Sequence, residues 1–247
     1  MRVAVDYDAL VGYYTSGKSL LDVAGIIGCC SNTVTNRLRK CGIGIRTLSE
    51  AQIIRRHRSV SINSSLLCVL DGLLLGDGNL SSPRGNQAVY HQDSSEKEFI
   101  DYVSSVLSNS GYLATKYDYD RFDKRTKKMY HSYSLNSIFT VELQKQYDRW
   151  YKNGIKIVPL DLLITPVVLM LWYLSDGYKD RRCHNIVIAT DSFKKEEVES
   201  LVYRFSLIGI PSHRQENNRI RVNADGYDTF MSYIGGCPIG CYRHKFS

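Results

Sequence analysis

The sequence predicts an α+β chain: two mixed halves related by a pseudo-twofold, preceded by a small all-helical unit. Three observations carry this. Two apolar segments 99 residues apart, Leu70-Asp71-Gly72-Leu73-Leu74-Leu75-Gly76-Asp77-Gly78 and Leu169-Met170-Leu171-Trp172-Tyr173-Leu174-Ser175-Asp176-Gly177, end alike in a small residue, an Asp and a Gly. The order of elements after each segment recurs. Residues 6–46 instead read as three short helices.

In the helical unit, Asp8–Tyr14 is the first helix, ended by Ser16-Gly17. Ser19 caps the second, Leu20–Ile27, which Gly28 ends; Ser31 caps the third, Asn32–Lys40, which Gly42 ends. Leu21, Ala24 and Ile27 form one apolar face, and Val34 and Leu38 another. Ala24, Gly28 and the Ser31-Asn32-Thr33-Val34 start resemble the helix-turn-helix of small DNA-binding domains. That resemblance implies a third helix in the major groove, with Asn32, Thr33, Thr35 and Asn36 near base edges and Arg37, Arg39 and Lys40 on phosphates. A small bundle with a solvated basic face is the alternative.

From Arg46 to Arg58 the chain carries Arg46, Arg55, Arg56, His57 and Arg58 against one acid, Glu50. Such a segment can track a phosphate backbone or be a solvated helix. The polar run after it sets the expected organisation: residues 1–58 a DNA-binding unit with its basic segment, 59–65 a linker, 66–158 the first half and 159–247 the second.

In each half a helix interior rejects Gly, so each apolar run ends at its Gly and leaves an Asp at the C-terminal mouth of a buried helix. The helix dipole is negative there, and an added carboxylate is unfavourable unless a cation neutralises it. One such segment alone reads as a core helix and a turn. Here the downstream order repeats too: a strand region, a Ser-containing helix start (Asp93-Ser94 and Asp191-Ser192), an amphipathic helix (Phe99–Leu107 and Val198–Ile208), a hairpin-like stretch, then a Lys (Lys156 and Lys245). Gly72 and Gly76, four apart, share a helix face and permit close approach. The matching places in the second helix hold Leu171 and Ser175, so the helix interface is expected to be asymmetric.

Composition narrows the partner. The 247 residues are 43% hydrophobic and 23% charged, with a net charge of +7 and a pI near 9.0, which favours a polyanion. Residues 1–65 hold nine Lys/Arg against four Asp/Glu. Seven cysteines in no framework spacing predict a reduced, intracellular protein. No signal peptide is expected from the polar start, and the longest apolar run, near Leu66–Leu75, is about half of the ~18–20 residues of a membrane span.

The two motifs resemble those of the single-chain, two-motif LAGLIDADG homing endonucleases. Trp150-Tyr151-Lys152-Asn153-Gly154-Ile155-Lys156-Ile157-Val158-Pro159 is similar to the family's link into the second motif. Asn185–Phe193 with Glu196-Glu197-Val198 is similar to its strand-to-helix passage, and Tyr242-Arg243-His244-Lys245-Phe246 to its terminal stretch. The resemblance spans residues 66–247 and implies two αββαββα halves whose sheets form a saddle over double-stranded DNA. It implies Asp77 and Asp176 as ligands of Mg²⁺ or Mn²⁺, with the backbone carbonyls of Gly76 and Ser175 as further ligands. Lys156 and Lys245 would polarise water or stabilise phosphate charge, or simply contact a phosphate. Gln92 falls at the family's water-positioning place, or is a plain DNA or surface residue. Its counterpart Thr190 suggests unequal strand-cleaving sites.

Sequence reading is expected from alternating strands that carry Lys116, Arg121, Lys128, Arg182, Arg214, Arg219 and Arg221. Lys116, Asp118 and Asp120 would share one face and Tyr117, Tyr119 and Arg121 the other; which meets DNA stays open. The expected function is a site-specific double-strand endonuclease acting as a monomer without a membrane partner. Alternatives are a transcriptional regulator on the same fold and a maturase that binds its intron RNA.

Overall fold

The computed structural model describes residues 7–47, 51, 62–109, 112, 114–180 and 184–246. The chain divides into two compact units, Met1–Ser59 and Val60–Ser247. Arg55, Arg56, Arg58 and Arg182 lie outside the described residues.

In the first unit α1 (Tyr7–Thr15), α2 (Leu20–Ile27) and α3 (Ser31–Lys40) enclose a core of Leu10, Tyr14, Val23, Ala24, Val34 and Leu38. Ser19 and Asp22 form a reciprocal capping box at the start of α2. Gly28 ends α2 in the left-handed conformation at φ 72°, where a side chain would be strained. Two expectations are corrected. Leu21 is 74% exposed, and Val23 takes the inward place beside Ala24. Cys30, not Ser31, stands at the N-cap of α3, without a side-chain cap bond.

The second unit begins with α4 (Ser64–Leu75), capped by Asn63, whose side chain accepts from the Leu66 amide. The end of the expected linker is therefore helix. Strands β1 (Asn79–Ser81) and β2 (Val89–Ser94) follow, then α5 (Lys97–Asn109), the hairpin β3 (Ala114–Asp123) and β4 (Lys128–Ser137), and α6 (Val141–Trp150). A miniature hairpin, β5 (Tyr151–Lys152) and β6 (Ile155–Lys156), closes this half. The second half repeats the order with α7 (Pro166–Asp176), β7 (Gly177–Asp180), β8 (Asn185–Ile188), α8 (Lys195–Leu207), β9 (Ser212–Arg214), β10 (Ile220–Val222) and α9 (Ala224–Ile234), and ends in a 3₁₀ helix, Gly240–Lys245. The sheet orders β1-β2-β4-β3 and β7-β8-β10-β9 are the same permutation, so the repeat read in the sequence is a repeat of topology. Asp93-Ser94 ends β2, and Asp191-Ser192 lies in a turn, so neither pair starts a helix as expected.

Helices α4 and α7 pack together at the centre. A Cβ on Gly72 would lie 2.7 Å from the Val168 carbonyl oxygen and 2.9 Å from Leu171 Cβ, and one on Gly76 2.6 Å from Ser175 Cβ. The first helix thus supplies the small face and the second the bulk. Each sheet packs one face on helices; Leu80, Tyr90, Leu135, Ile188 and Ile220 are buried in the shared core.

Candidate active site

The two motif helices deliver their acids to one place. Asp176 is the last residue of α7 and Asp77 lies two past α4, whose C-cap is Gly76. Among the described residues neither carboxylate takes a hydrogen bond or an ion pair. Burial raises the pKa of Asp77, opposed by Lys156 and then Lys245. Burial, and next the charge of Asp77, push Asp176 up to about 7, against the pull of the same two lysines. Two acids at the negative ends of helices, partly desolvated and mutually repelling, form a site that favours a cation.

The lysines are placed from the ends of the two halves. Asn153 and Gly154 both have positive φ, 52° and 74°, as a two-residue type I′ turn requires, and this turns β5 back into β6. Lys156 then points at the end of α4, and its Nζ donates to the carbonyls of Gly76 at 3.0 Å and Gly78 at 2.8 Å. Lys245 Nζ donates to Leu174 O at 2.6 Å at the end of α7, and it lies 4.5 Å from the centre of the Tyr242 ring. Each lysine neutralises a helix C-terminus. Burial pulls Lys156 down to about 8, opposed by Asp176 and then Asp77, and burial likewise lowers Lys245. The Gly76 carbonyl, expected as a metal ligand, here accepts from Lys156, and the Ser175 hydroxyl donates to Leu171 O at 3.3 Å.

Gln92 is fully buried; its Oε1 accepts from Tyr90 Oη at 2.6 Å and its Nε2 donates to the Asp93 carbonyl. The alternative of a plain surface residue is corrected: Gln92 is buried and reaches the Asp77 region through Tyr90, a residue sequence reasoning missed. Burial, then the Asp77 charge, hold the Tyr90 phenol protonated. Thr190, its counterpart, is buried and donates to the Asn218 carbonyl.

Most of the hairpin residues beside the site share one strand face. An open cleft of about 380 Å³ is lined by Asp77, Asp93, Ser94, Ser95, Tyr119, Arg121, Tyr130, His131 and Ser132. Tyr117, Tyr119 and Arg121 pair with Ser134, Ser132 and Tyr130, so this is the cleft face, and Lys128, opposite Asp123, shares it. Lys116 pairs with the buried Leu135 and binds Asp101 of α5 at 2.5 Å. It lies on the helix side, which corrects its expected DNA contact. Arg214 is corrected likewise: it pairs with the buried Ile220 and approaches Glu199 of α8 at 3.6 Å. Arg219 and Arg221 alternate onto the opposite face, where they pair with Asp191 and Asp180.

In the helical unit, Asn32, Asn36, Arg39 and Lys40 are exposed on α3. Thr33 bonds Cys30 Sγ at 3.1 Å and Thr35 donates to Ser31 O, so both hydroxyls are engaged internally. Arg37 is half-buried, with Nη1 unpartnered among the described residues. Arg46 is corrected from a phosphate contact to a brace. Its guanidinium donates to the carbonyls of Tyr14 and Lys18 and lies 3.9 Å over the Tyr14 ring.

Comparison with known proteins adds three likenesses. An uncharacterized protein of Methanocaldococcus jannaschii, MJ1098, is 28% identical over 199 residues, 79% of this chain and 76% of its own length. The cytochrome b mRNA maturase bI2 of Saccharomyces cerevisiae is 27% identical over 154 residues, 58% of this chain and 36% of the maturase. The homing endonuclease I-WcaI bound to its DNA recognition sequence shares the fold, with a TM-score of 0.69 and 18% identity over 85% of this chain and 97% of that one. No helix among the described residues is long and apolar enough to cross a membrane. The model of the LAGLIDADG DNA endonuclease family matches residues 67–230, and with the paired helix-end acids and the repeated sheets already in place, the chain belongs to that family.

Proposed function

We propose that this chain is a divalent-metal-dependent endonuclease that cuts both strands of a DNA duplex at a long site. The observation that carries the reading is the juxtaposition of Asp77 and Asp176, one from each half, partly desolvated beside Lys156 and Lys245 and without a hydrogen-bond or ion-pair partner among the described residues. The donor set fits a hard cation: two carboxylates, with the carbonyls of Gly76 and Ser175 next to them in the chain. When bound, Mg²⁺ or Mn²⁺ would lower the pKa of water and offset charge on the scissile phosphate.

The chain's own residues do the rest. Asp77 and Asp176 hold the cation where the two halves meet. Lys156 and Lys245 add positive charge where the phosphorane develops, in a partly desolvated corner where each charge counts for more than in water. The face of β3 and β4 that carries Tyr117, Tyr119, Arg121, Lys128 and Tyr130 lies along the duplex, as does the face of Arg219 and Arg221 in the second sheet. A two-stranded ribbon fits the major groove. The first unit serves as a helix-turn-helix that lengthens the contacted site, with Asn32 and Asn36 reading bases and Arg37, Arg39 and Lys40 on phosphates; the exposed outer side of α3 supports this.

The test is incubation of the full chain and Mg²⁺ with a randomised duplex library, followed by sequencing of the new ends. Paired breaks at a recurrent site that vanish in EDTA support the reading; random or absent ends refute it. The likeness to the bI2 maturase favours intron RNA as a second ligand, and tighter binding to a structured intron than to any duplex would favour that reading instead.

A further inference from the structure

Two glutamates occupy equivalent places at the start of the two amphipathic helices, Glu98 in α5 and Glu197 in α8, each followed by a buried apolar residue, Phe99 and Val198. Each reaches into the other half. Glu98 accepts from the amides of Gly240 at 2.6 Å and Cys241 at 2.8 Å, the first residues of the 3₁₀ helix that ends in Lys245. Its neighbour Phe99 packs on Tyr242, with ring centres 5.5 Å apart, and Tyr242 in turn underlies Lys245 Nζ. In the opposite sense, Glu197 Oε1 accepts from the Val158 amide at 2.9 Å, two residues past Lys156, while its Oε2 accepts from the Lys194 amide.

These bonds are charge-assisted and join segments 142 and 39 residues apart in sequence. A helix-capping role alone would need only the Lys194 bond. We infer that Glu98 and Glu197 are positioning residues in a crossed pair of clasps: each half holds the backbone that carries the other half's lysine, so neither reaction centre is complete without both halves. This rests on the endonuclease reading for its catalytic consequence and on geometry alone for the clasps.

The experiment uses the full-length chain as wild type, Glu98→Gln, Glu197→Gln and Gly240→Ala, with the two DNA strands labelled separately under single-turnover conditions. A Cβ at 240 would sit 3.1 and 3.2 Å from the two Glu98 oxygens, so Gly240→Ala loosens the same clasp from its other side. Glu98→Gln is expected to slow cutting of one strand by about 10- to 100-fold, the cost of a lysine displaced by ~1 Å. Gly240→Ala slows the same strand less, and Glu197→Gln slows the other strand. DNA affinity and melting temperature stay near wild type. Amide hydrogen exchange without DNA reads the clasps directly: Gly240 and Cys241 lose protection in Glu98→Gln, and Val158 in Glu197→Gln. Equal slowing of both strands, or unchanged exchange at those amides, overturns the proposal. A wild-type chain that cuts no DNA defeats the endonuclease reading, and the exchange measurement then decides the clasps by itself.

Discussion

The two halves share one topology and keep the same acid, glycine and lysine at matched places, but differ elsewhere, the central helix seam included. Asp77 matches Asp176, Gly78 matches Gly177, and a lysine closes each half. Where Gly72 and Gly76 stand in the first helix, the second has Leu171 and Ser175. Where the first half buries the Tyr90–Gln92 pair, the second buries Ile188 and Thr190. Where α4 has Asp71, α7 has Met170. The hairpin of the first half has ten-residue strands, and that of the second three-residue strands. What the proposed reaction would use is held in duplicate, while packing and the outer strands diverge.

The largest expected effect tests the duplicated part. Asp77→Asn and Asp176→Asn should each abolish double-strand cleavage, by about 10³-fold or more, while gel-shift affinity changes little. Wild-type cutting by either variant would break the equivalence of the halves.

The next test concerns the part found in one half only. Asp71, 4% exposed, is held by Arg149 at 2.5 and 3.1 Å and by the Trp150 indole at 3.0 Å. Removing one partner of such a pair strands the other, so Arg149→Ala should lower stability by about 3–5 kcal/mol. Met170→Leu at the matching place should cost less than about 1.5 kcal/mol. Urea melts of the two variants check the contrast, and equal losses would contradict it.

Smaller again is the effect of the helix seam. Gly72→Ala puts a methyl where the α7 backbone already lies and should destabilise by about 1–3 kcal/mol. Ser175→Ala on the facing side should be near neutral, because its hydroxyl bonds only its own helix. A stable Gly72→Ala variant would mean that the helices can part without loss.

The pH dependence sharpens the comparison of the two acids. The folded pKa of Asp176, about 7, lies above the ordinary unfolded value of about 3.9. The folded chain therefore holds a proton that the unfolded chain has released, and stability falls as pH rises from about 4 to about 7. In EDTA the melting temperature of Asp176→Asn should fall less than that of wild type between pH 5 and pH 8. A parallel decline in both would show that Asp176 is not the group that titrates. Divalent cation should raise the wild-type melting temperature more than that of either Asn variant, since it binds only the folded site.

What was legible in the sequence was local. Caps such as Ser19, the Gly that ends each motif helix, the small face of Gly72 and Gly76 and the repeated element order all depend on neighbours within a few residues. The misread residues depend on partners far along the chain. Arg46 looks like any basic residue before a basic run, until Tyr14 and the end of α1 fold beneath it. Lys116 and Arg121 sit in one alternating strand, and only pairing to the buried Leu135 tells which face is inside. Leu21 fits an apolar helical stripe, but Val23 sits on the side where α1 and α3 meet. One signal was present and unread: Asn153-Gly154 is a two-residue turn dipeptide, enough to predict the hairpin that aims Lys156. Glu98 and Glu197 gave no such sign, since an acid in a first helical turn is ordinary.

The sheet order has a consequence apart from DNA. Among the described residues the outer hairpin strand of each sheet, β3 or β9, has a neighbour on one side only. A bare strand edge invites another chain to pair with it. β9 is three residues long and offers little to copy. β3 is ten residues long but carries Lys116, Asp118, Asp120, Arg121 and Asp123, charges of both signs that an added strand would have to bury or oppose. The strand proposed to lie along a duplex is thereby also guarded against pairing with a second copy of the chain.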